Sequence, residues 1–373
     1  MGYPVISLLF ITRLSTCNMA RDYVDEDISR ALTLHSDYYT DSNLFEDIKK
    51  SFANHWHFAI HDSEFKDCNV IPLERMGVLI NDEIILTKSE NYNCLSNVCT
   101  HRAMLLIEEK CHTSRIQCPY HGRTFDLNGK FLKMPKFENV ANFPSADDNL
   151  NKFEFKNWKN LFFINNVDND FEGFINAINE RVGWMDIENF EYEQSKDRSH
   201  LINANWALYV DNYLEGFHIP YVHGDLNKII EYDSYKTELF SNGVLQIGLA
   251  KSGELCFDLP QESPDYGLNI AAYYFWVFPN MMFNFYPWGL SVNIVLPLDK
   301  SHSKILYRGY VGNRNLLGKG AGGDLDKVEE EDQKIVESVQ LGVNSKSYVR
   351  GRYSPEKELG VHHFHRLLTN SLK

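Results

Sequence analysis

The spacing of apolar and polar positions predicts a helical start followed by a β-rich region. From about 22 to 53 the apolar residues recur at helical intervals, which predicts one or two helices. From 56 to about 166, short runs rich in Val, Ile and Phe, such as 77–80 and 83–87, alternate with Asn, Asp and Gly. This alternation is typical of a small antiparallel β domain, and residues 126–129 are a turn signal between two of its strands.

Further along the chain the apolar pattern lengthens and predicts larger elements. Residues 171–182 and 206–217 have the periodicity of amphipathic helices, and Pro220 interrupts regular helix just after the second. Strands dense in aromatic side chains are predicted between 239 and 311, and a long final helix over 324–341. The pattern as a whole predicts an α+β chain of two main parts.

The composition describes an acidic chain with enough apolar residues for packed cores. The chain has 373 residues, 43% of them hydrophobic, and 37 Lys and Arg against 51 Asp and Glu give a formal charge of -14. On the usual size of a domain this predicts about two domains. The acidity argues against nucleic acid as a partner, because phosphates would repel the protein. No apolar stretch reaches the roughly 18 residues of a transmembrane helix, so we expect no membrane span.

The N-terminal residues and the cysteines predict a cytoplasmic protein. The apolar run 3–12 lacks the basic start and the small-residue cleavage site of a secretory signal. Thr16 precedes Cys17 where a lipoprotein signal needs a small residue, and Met19 opens an ordinary polar segment, so Met19 is preferred over Met1 as the start of translation. Seven cysteines, an odd number spread unevenly, do not resemble a disulfide framework and fit a reducing compartment.

Two cysteine–histidine pairs suggest one metal centre. Cys99 and His101 form the first pair, and after sixteen intervening residues Cys118 and His121 form the second. Two facing loops with a thiolate and an imidazole each could close on a single centre, and Gly122 would let the backbone approach it closely. A structural zinc site uses the same donor types, so zinc, or two unrelated pairs of core residues, are the alternatives.

A second group of ionisable residues lies on the helix that precedes Pro220 and just beyond it. Helical spacing puts Asp211, Glu215 and His218 on one face, at i, i+4 and i+7. His223 follows five residues after His218, about 140° away on a regular helix. The two imidazoles therefore converge only if Pro220 breaks the helix between them.

Two histidines need a carboxylate to complete an oxygen-activating ferrous site, and the final helix offers candidates. Asp332 lies four residues after Val328, inside the apolar stripe of that helix. A lone carboxylate there is costly unless it is paired or binds a metal. Glu329 and Glu330 are expected to project farther from the centre of the stripe. Asp332 is therefore the preferred ligand and Glu331 the next choice, and a salt-bridged Asp332 under a loop is the structural alternative.

The first cluster resembles the Rieske 2Fe-2S domain. The resemblance rests on CTHR at 99–102, CPYHG at 118–122 and FDLNGKF at 125–131. It implies that the two cysteines hold one iron and the two histidines the other, and the neutral imidazoles raise the potential to about -150 to +300 mV. Ala103 stands where many members have Gly, and Arg123 where many have Trp. Neither departure removes a ligand.

The order of the motifs resembles the Rieske-type non-haem iron oxygenases of the aromatic-ring-hydroxylating superfamily, over about 56–351. The resemblance implies an N-terminal helical segment at 1–45 and an antiparallel β Rieske domain at 46–165. A helix-grip catalytic domain, in which a long helix packs on an antiparallel sheet, is implied at 166–373.

The same resemblance implies roles for the second group of residues. His218, His223 and Asp332 would hold a mononuclear Fe2+, and the protein would be a homotrimer in which one subunit's Rieske cluster serves the neighbour's iron. Glu215 would bridge the two centres by hydrogen bonding to His121 across the subunit boundary. Many ring-hydroxylating members have Asp at this position, whereas Glu resembles the carnitine and related quaternary ammonium monooxygenases.

Aromatic residues concentrate at 273–288, which reads YYFWVFPNMMFNFYPW. Rings from adjacent strands could surround a methylated ammonium group by cation–π attraction, although an ordinary aromatic core is the structural alternative. The stretch NYLEGFHIPYVH at 212–223 is most similar to the choline, glycine betaine and carnitine oxygenases, which implies hydroxylation or demethylation beside a quaternary nitrogen. The candidate substrate-binding residues are Tyr213, Phe275, Phe283 and Phe285.

The resemblance also implies partners. The chain has no Gly-rich dinucleotide fingerprint, so electrons from NAD(P)H would come through a separate ferredoxin or flavin reductase, with O2 and a small molecule as the other substrates. Two other functions compete with this one. One is an aromatic-ring-hydroxylating dioxygenase on the same scaffold, and the other is a non-catalytic Rieske electron carrier.

Overall fold

The computed structural model describes residues 23–165 and 171–373, and the expectations for the run 3–12 and for Met19 lie outside these residues. Nine α-helices occur in the described part of the chain. They are α1 (Asp37–Thr40), α2 (Ser42–Phe52), α3 (Arg75–Leu79), α4 (Phe171–Val182), α5 (Trp206–Tyr213), α6 (Ile219–Val222), α7 (Leu226–Ile229), α8 (Leu325–Val343) and α9 (Leu359–Asn370).

The strands of the described residues fall into two groups along the chain. The first group is β1 (His57–His61), β2 (Val70–Pro72), β3 (Ile84–Lys88), β4 (Tyr92–Ser96), β5 (Ile116–Gln117), β6 (Thr124–Phe125), β7 (Phe131–Lys133), β8 (Glu154–Trp158) and β9 (Leu161–Asn165). The second is β10 (Glu191–Tyr192), β11 (Arg198–Ile202), β12 (Lys236–Phe240), β13 (Gly243–Leu249), β14 (Ile270–Val277), β15 (Met281–Tyr286), β16 (Gly289–Asp299) and β17 (His302–Val311).

The first group forms three small antiparallel sheets, ordered β1-β9-β8, β2-β3-β4 and β5-β6-β7. The predicted turn at 126–129 joins β6 to β7, where the Asp126 carboxylate accepts from the backbone N–H groups of Asn128 and Lys130 and Gly129 has a φ of 80°. The prediction of a strand at 77–80 was wrong, because α3 occupies this segment. A short apolar run fits either element, and periodicity alone cannot separate them.

The second group builds one large antiparallel sheet that supports the candidate site. Its order is β10-β17-β16-β15-β14-β13-β12, and β11 also pairs with β17. Helix α5 packs on β16 and β17 and also against the 19-residue helix α8. This confirms the predicted α+β fold, with an antiparallel β domain followed by a sheet that carries a long helix. None of the described helices combines the length and apolarity needed to cross a bilayer.

The pairing of β14 with β15 decides which aromatic rings face the site. Tyr274 lies opposite Asn284, whereas Phe275 lies opposite Phe283 and Tyr273 opposite Phe285. Residues that face each other across a ladder point to the same side of the sheet, and successive residues point to opposite sides. Tyr274 and Asn284 therefore share one face, and the phenylalanines share the other.

Arg123 fills the position for which the resemblance led us to expect an aromatic ring. Its side chain is 2% exposed, forms an ion pair with Asp148, and lies 5.0 Å from the ring centre of Phe131 and 5.6 Å from that of Phe143. The backbone N–H of Ser145 and the guanidinium of Arg123 together lower the pKa of Asp148. The guanidinium thus replaces an indole by stacking on rings and pairing with a carboxylate.

We expect Arg123→Met to destabilise the β domain by about 2–3 kcal/mol, because it leaves Asp148 without its cation and removes the ring contacts. Asp148 is partly exposed, which limits the loss. Thermal unfolding followed through the visible absorbance of the iron–sulfur protein measures the effect. Arg115→Met, at an exposed arginine of the same domain, is the control. Equal melting temperatures for the two variants would contradict this role.

Candidate active site

Helix α5 ends four residues earlier than predicted, and its end sets the position of the first histidine. The Asn205 side chain accepts from the Ala207 backbone N–H and starts the helix. At the other end the Leu214 N–H is shared between two carbonyls. Gly216 is needed just beyond, because a Cβ there would lie 2.8 Å from the ring of Tyr235. Glu215 and His218 therefore stand in the turns after the helix.

The expectation that Asp211 shares a face with Glu215 and His218 was wrong, because the helix stops between them. The Asp211 carboxylate instead accepts from the Tyr39 hydroxyl at 2.8 Å and lies 2.7 Å from Nε2 of His365 on α9. Asp211 thus ties α5 to the C-terminal helix and takes no part in the candidate metal site.

A short helix brings the two histidines together. His218 and His223 flank α6, with Pro220 in its first turn, where proline is compatible with helical geometry. The two Nε2 atoms lie 3.1 Å apart. The expectation that Pro220 breaks the helix between the imidazoles was wrong, because α5 already ends at Tyr213 and α6, which contains Pro220, runs between the two histidines.

Asp332 on α8 completes the group. Its Oδ1 atom lies 3.0 Å from Nε2 of His223 and 3.6 Å from Nε2 of His218. Ligand atoms of the three side chains all lie within 4.8 Å of one another, so they could hold one metal ion. Asn212 donates to the same Asp332 oxygen at 2.7 Å. Two imidazoles and one carboxylate on one side of an ion match the donor set of non-haem ferrous sites.

The apolar stripe expected around Asp332 is only partly buried. Val336 is 1% exposed, but Ile335 and Val339 are 38% and 43% exposed in the single chain. Helix α8 presents its acidic residues, rather than a continuous apolar stripe, to the histidines.

Two further carboxylates fix the orientation of the imidazoles. Oε1 of Glu215 lies 2.8 Å from Nδ1 of His218, and Oε2 of Glu331 lies 2.8 Å from Nδ1 of His223. Each imidazole thus presents Nε2 to the centre, as metal-binding histidines do when a carboxylate holds the other nitrogen. Burial lowers the pKa of His223, but Asp332 and Glu331 outweigh it, so that its pKa is raised. The electrostatics that hold a proton there also favour a cation.

In the β domain, Cys99 and Cys118 occupy two loops of similar geometry. The Ala103 N–H donates to the Cys99 carbonyl and the Gly122 N–H to the Cys118 carbonyl, both at 3.0 Å. Ala103 and Gly122, each four residues after its cysteine, have φ of 55° and 72°. The glycine expected at 103 would relieve strain in this left-handed position, and the loop keeps its shape with alanine.

These loops fit a Rieske cluster in their donors. Both cysteines are 2% exposed. Burial and the neighbouring Cys118 thiol raise the pKa of Cys99, which means that the thiolate form is disfavoured here unless a cation is bound beside it. The His101 and His121 ring centres are 4.8 Å apart. Nδ1 of His121 is buried and has no hydrogen-bond partner among the described residues, which leaves it free to bind a metal. Burial and nearby charges lower the pKa of His101, which favours the neutral ligand form.

A cavity of about 90 Å3 adjoins His218, His223 and Asp332. Of the predicted substrate-binding residues, Tyr213 lines this cavity, but Phe275, Phe283 and Phe285 lie in the hydrophobic core on the opposite face of the sheet. The prediction chose the wrong set of alternate residues in β14 and β15. Aromatic side chains are dense on both faces of these strands, so the sequence does not indicate which face looks toward the cavity. The tyrosine rings on the cavity wall are those of Tyr209, Tyr213, Tyr235, Tyr274 and Tyr286.

Glu329 also lines the cavity, contrary to the expectation that it projects away. Its carboxylate accepts hydrogen bonds from the Tyr209 hydroxyl and, at 2.7 Å, from the Tyr307 hydroxyl, and it lies 3.4 Å from Nδ2 of Asn293. Burial raises the pKa of Glu329 to about 7, and the charge of Asp332 acts in the same direction. Because Glu329 and Asp332 are three positions apart on α8, their side chains are neighbours.

We expect Glu329→Gln to stabilise the protein, freed of mononuclear iron, more at pH 8 than at pH 5. A carboxyl group whose pKa is raised from 4.5 to about 7 binds more protons when folded, so the wild type loses stability as the pH rises through this window. The gain should reach on the order of 2 kcal/mol. Melting temperatures of both proteins across the range measure it, with Glu330→Gln at the exposed neighbour as control. A difference independent of pH would contradict this environment.

Comparisons with known proteins agree with this geometry. The Rieske [2Fe-2S] domain model matches residues 55–144, and the model of the ring-hydroxylating alpha subunit (catalytic domain) matches residues 183–373, just over half of the chain. The first match contains both cysteine–histidine pairs, and the second contains the histidines and the carboxylates of the candidate metal site.

Several characterised proteins are similar over nearly the full length. Choline monooxygenase of Arabidopsis thaliana is 28% identical over 93% of this chain and 84% of its own. The carnitine monooxygenase oxygenase subunit of Escherichia coli (strain K12) is 29% identical over 92% of this chain and 94% of its own. Among solved structures, the quaternary ammonium Rieske monooxygenase CntA superposes with a TM-score of 0.77 at 26% identity, covering 95% of this chain and 97% of CntA.

A Rhodococcus naphthalene 1,2-dioxygenase shares the fold, with a TM-score of 0.72 at 16% identity. The electron-carrier alternative is wrong, because residues 183–373 match the model of a catalytic domain and the similar proteins are monooxygenases. The protein is an oxidoreductase that binds a Rieske 2Fe-2S cluster and a mononuclear iron and that takes electrons from a partner. With both domains matched in the expected order, the chain belongs to the ring-hydroxylating alpha subunit family of Rieske oxygenases.

Proposed function

We propose that this protein is the terminal oxygenase of a system that hydroxylates or demethylates a quaternary ammonium compound. The observation that carries the proposal is the ring of tyrosines at 213, 235, 274 and 286 around a cavity that adjoins the candidate iron site. Aromatic faces attract a methylated ammonium group by cation–π interactions of about 0.5–2 kcal/mol each. The similarity to choline and carnitine monooxygenases supports the same substrate class.

We assign the metal ligands from the donor geometry. Cys99, His101, Cys118 and His121 would hold the 2Fe-2S cluster, and His218, His223 and Asp332 the mononuclear iron. When bound, the two metal groups supply electrons and the activation of O2. The chain's own residues bind the substrate, keep its methyl groups against the aromatic walls and limit access of water.

The carboxylates around the histidines have positioning roles. Glu215 holds Nδ1 of His218 and Glu331 holds Nδ1 of His223, which fixes both rings with Nε2 toward the centre. Asn212 restrains Asp332 through its hydrogen bond. These contacts would keep the donor atoms in place before substrate arrives.

Electrons would reach the site from a ferredoxin or flavin reductase that oxidises NAD(P)H in the cytoplasm. We propose a homotrimer in which Glu215 of one subunit hydrogen bonds to His121 of the next, as the family resemblance implies. Within the described part of the chain the hydrogen bonds of Glu215 go only to His218. The ring of Tyr120, 58% exposed, has its centre 3.7 Å from that of His121, so the edge of the cluster domain is open to a neighbour. CntA has itself been described in terms of inter-subunit electron transfer.

Substrate-dependent oxygen uptake with a surrogate reductase tests the proposed activity. At least one of choline, glycine betaine and carnitine should stimulate uptake and yield an aldehyde, an amine or a demethylated product, whereas naphthalene and biphenyl should not. Stimulation by the arenes alone would instead favour a ring dioxygenase.

We expect His218→Ala to lose one iron of about three per chain, because a ferrous site that needs three protein ligands would keep only His223 and Asp332. Iron analysis together with the electron paramagnetic resonance spectrum of the reduced cluster measures this, and the cluster signal should remain. His302→Ala, at an exposed turn, is the control and should keep all three irons. An unchanged iron count in His218→Ala would refute the ligand assignment.

Glu331→Gln should weaken retention of the mononuclear iron about 10- to 100-fold while leaving all three ligands in place, because it removes the carboxylate that orients His223. Competition with a ferrous chelator measures the affinity. Glu330→Gln changes the same charge at an exposed neighbouring position and should match the wild type. If both variants lose iron equally, overall charge rather than orientation is responsible.

A further inference from the structure

Apart from two histidines, the charged side chains that the described residues place on the cavity wall are carboxylates. The ionisable lining residues other than the tyrosines are Glu215, His218, His223, Glu329 and Asp332, and no Lys or Arg is among the described residues that line it. The two histidines and Asp332 are the proposed metal ligands, and Glu215 is bound to His218. Glu329 is therefore the one carboxylate on the wall that is left for a ligand.

Glu329 has no Lys or Arg as an ion-pair partner among the residues that the structure describes. Its hydrogen-bond partners there are the hydroxyls of Tyr209 and Tyr307 and the amide of Asn293, all neutral. A buried carboxylate without a counter-charge costs stability, and the aromatic rings beside it also favour a positive ligand. The unpaired carboxylate and the aromatic rings thus both favour binding of a cation at the same place.

The wall offers little to an anionic group. Three of its four amide side chains donate within the protein: Asn212 donates to Asp332, Gln246 to the Tyr213 carbonyl at 2.7 Å, and Asn293 to Glu329 at 3.4 Å. The Tyr213 hydroxyl donates to Asn284 at 2.6 Å. A substrate carboxylate would therefore lose its hydration without gaining a positively charged donor from the described Lys and Arg residues, and it would lie near Glu329.

Basic side chains do occur close by, but they are separated from the cavity. Lys196 and Arg198 line a second cavity of about 30 Å3, whose wall shares Glu329 and Leu325 with the first. Arg198 donates to the backbone carbonyls of Ser195 and Asp197. Glu329 and Leu325 thus form the partition between these cations and the tyrosine-lined cavity.

We propose that the cavity selects a compact quaternary ammonium substrate that carries no carboxylate, a choline-type amino alcohol rather than a betaine or carnitine, and that Glu329 is its counter-charge. This inference rests on the proposed function and narrows it. The small volume of the cavity, about 90 Å3, also disfavours a longer substrate such as carnitine, because pockets for drug-sized ligands usually measure about 300–1,000 Å3.

The experiment compares four ligands by isothermal titration calorimetry on the oxygenase loaded with both metal groups, kept oxidised and anaerobic. They are choline, its uncharged carbon isostere 3,3-dimethyl-1-butanol, glycine betaine and L-carnitine. Choline should bind at least about tenfold more tightly than each of the other three, which corresponds to roughly 1.4 kcal/mol. Oxygen uptake with the same compounds follows turnover.

Glu329→Gln tests the contribution of the negative charge at this position, because glutamine has nearly the same size and shape as glutamate but is neutral. The variant should weaken choline binding about 10- to 100-fold and leave binding of the neutral isostere unchanged, so that the preference for the cation disappears. Glu330→Gln should keep the wild-type preference. The cluster spectrum and the melting temperature establish that the variants are folded.

The outcomes distinguish this inference from the proposed function. If glycine betaine or carnitine binds as tightly as choline and is oxidised, the protein remains a quaternary ammonium oxygenase and the exclusion of carboxylates is refuted. If Glu329→Gln keeps the preference of choline over its isostere, Glu329 is not the counter-charge. If no ammonium compound binds or stimulates oxygen uptake, the proposed function fails as well.

Discussion

The catalytic domain depends on holding three electron-rich ligand atoms close together. The Nε2 atoms of two imidazoles and a carboxylate oxygen meet within 3.0–3.6 Å, and each comes from a different local structure. The turn after α5 supplies His218, the end of α6 supplies His223, and the middle of α8 supplies Asp332. The sheet beneath α5 fixes that helix, and Asp211 ties it to α9. Much of the catalytic domain thus serves as a frame for one small group of donors.

The residues that meet at the candidate metal site, His218, His223 and Asp332, could be selected from the sequence because their information is local. Short spacings, a proline between two histidines and a carboxylate within an apolar stripe can all be seen in a single sequence. The same reasoning found the α+β architecture and the limits of α4, since a periodicity sustained over three turns is specific. It failed at 77–80, where a glycine and three apolar residues fit a strand as well as a helix.

The cavity wall could not be predicted, because it depends on which face of a strand looks inward. In 273–288 nearly every position is aromatic or apolar, so alternation gives no signal and a shift by one residue exchanges Phe275 for Tyr274. Glu329 was misplaced for a related reason. The stripe of α8 was centred on Ile335 and Val339, which are exposed in the single chain, and the true inner face is rotated toward the acidic residues. Only tertiary packing sets that rotation.

Helix α8 carries Asp332 as a proposed ligand, Glu331 as the residue that orients an imidazole, and Glu329 as the proposed counter-charge, all within four consecutive positions. Successive residues on a helix are separated by about 100° and 1.5 Å. Metal affinity and substrate specificity therefore depend on the position of one rigid helix. Any tilt or rotation of α8 displaces all three side chains together. A substitution on α8 that alters substrate specificity therefore also alters the affinity for the metal ion. Specificity for other substrates is more readily changed on the opposite wall of the cavity, which carries the tyrosines.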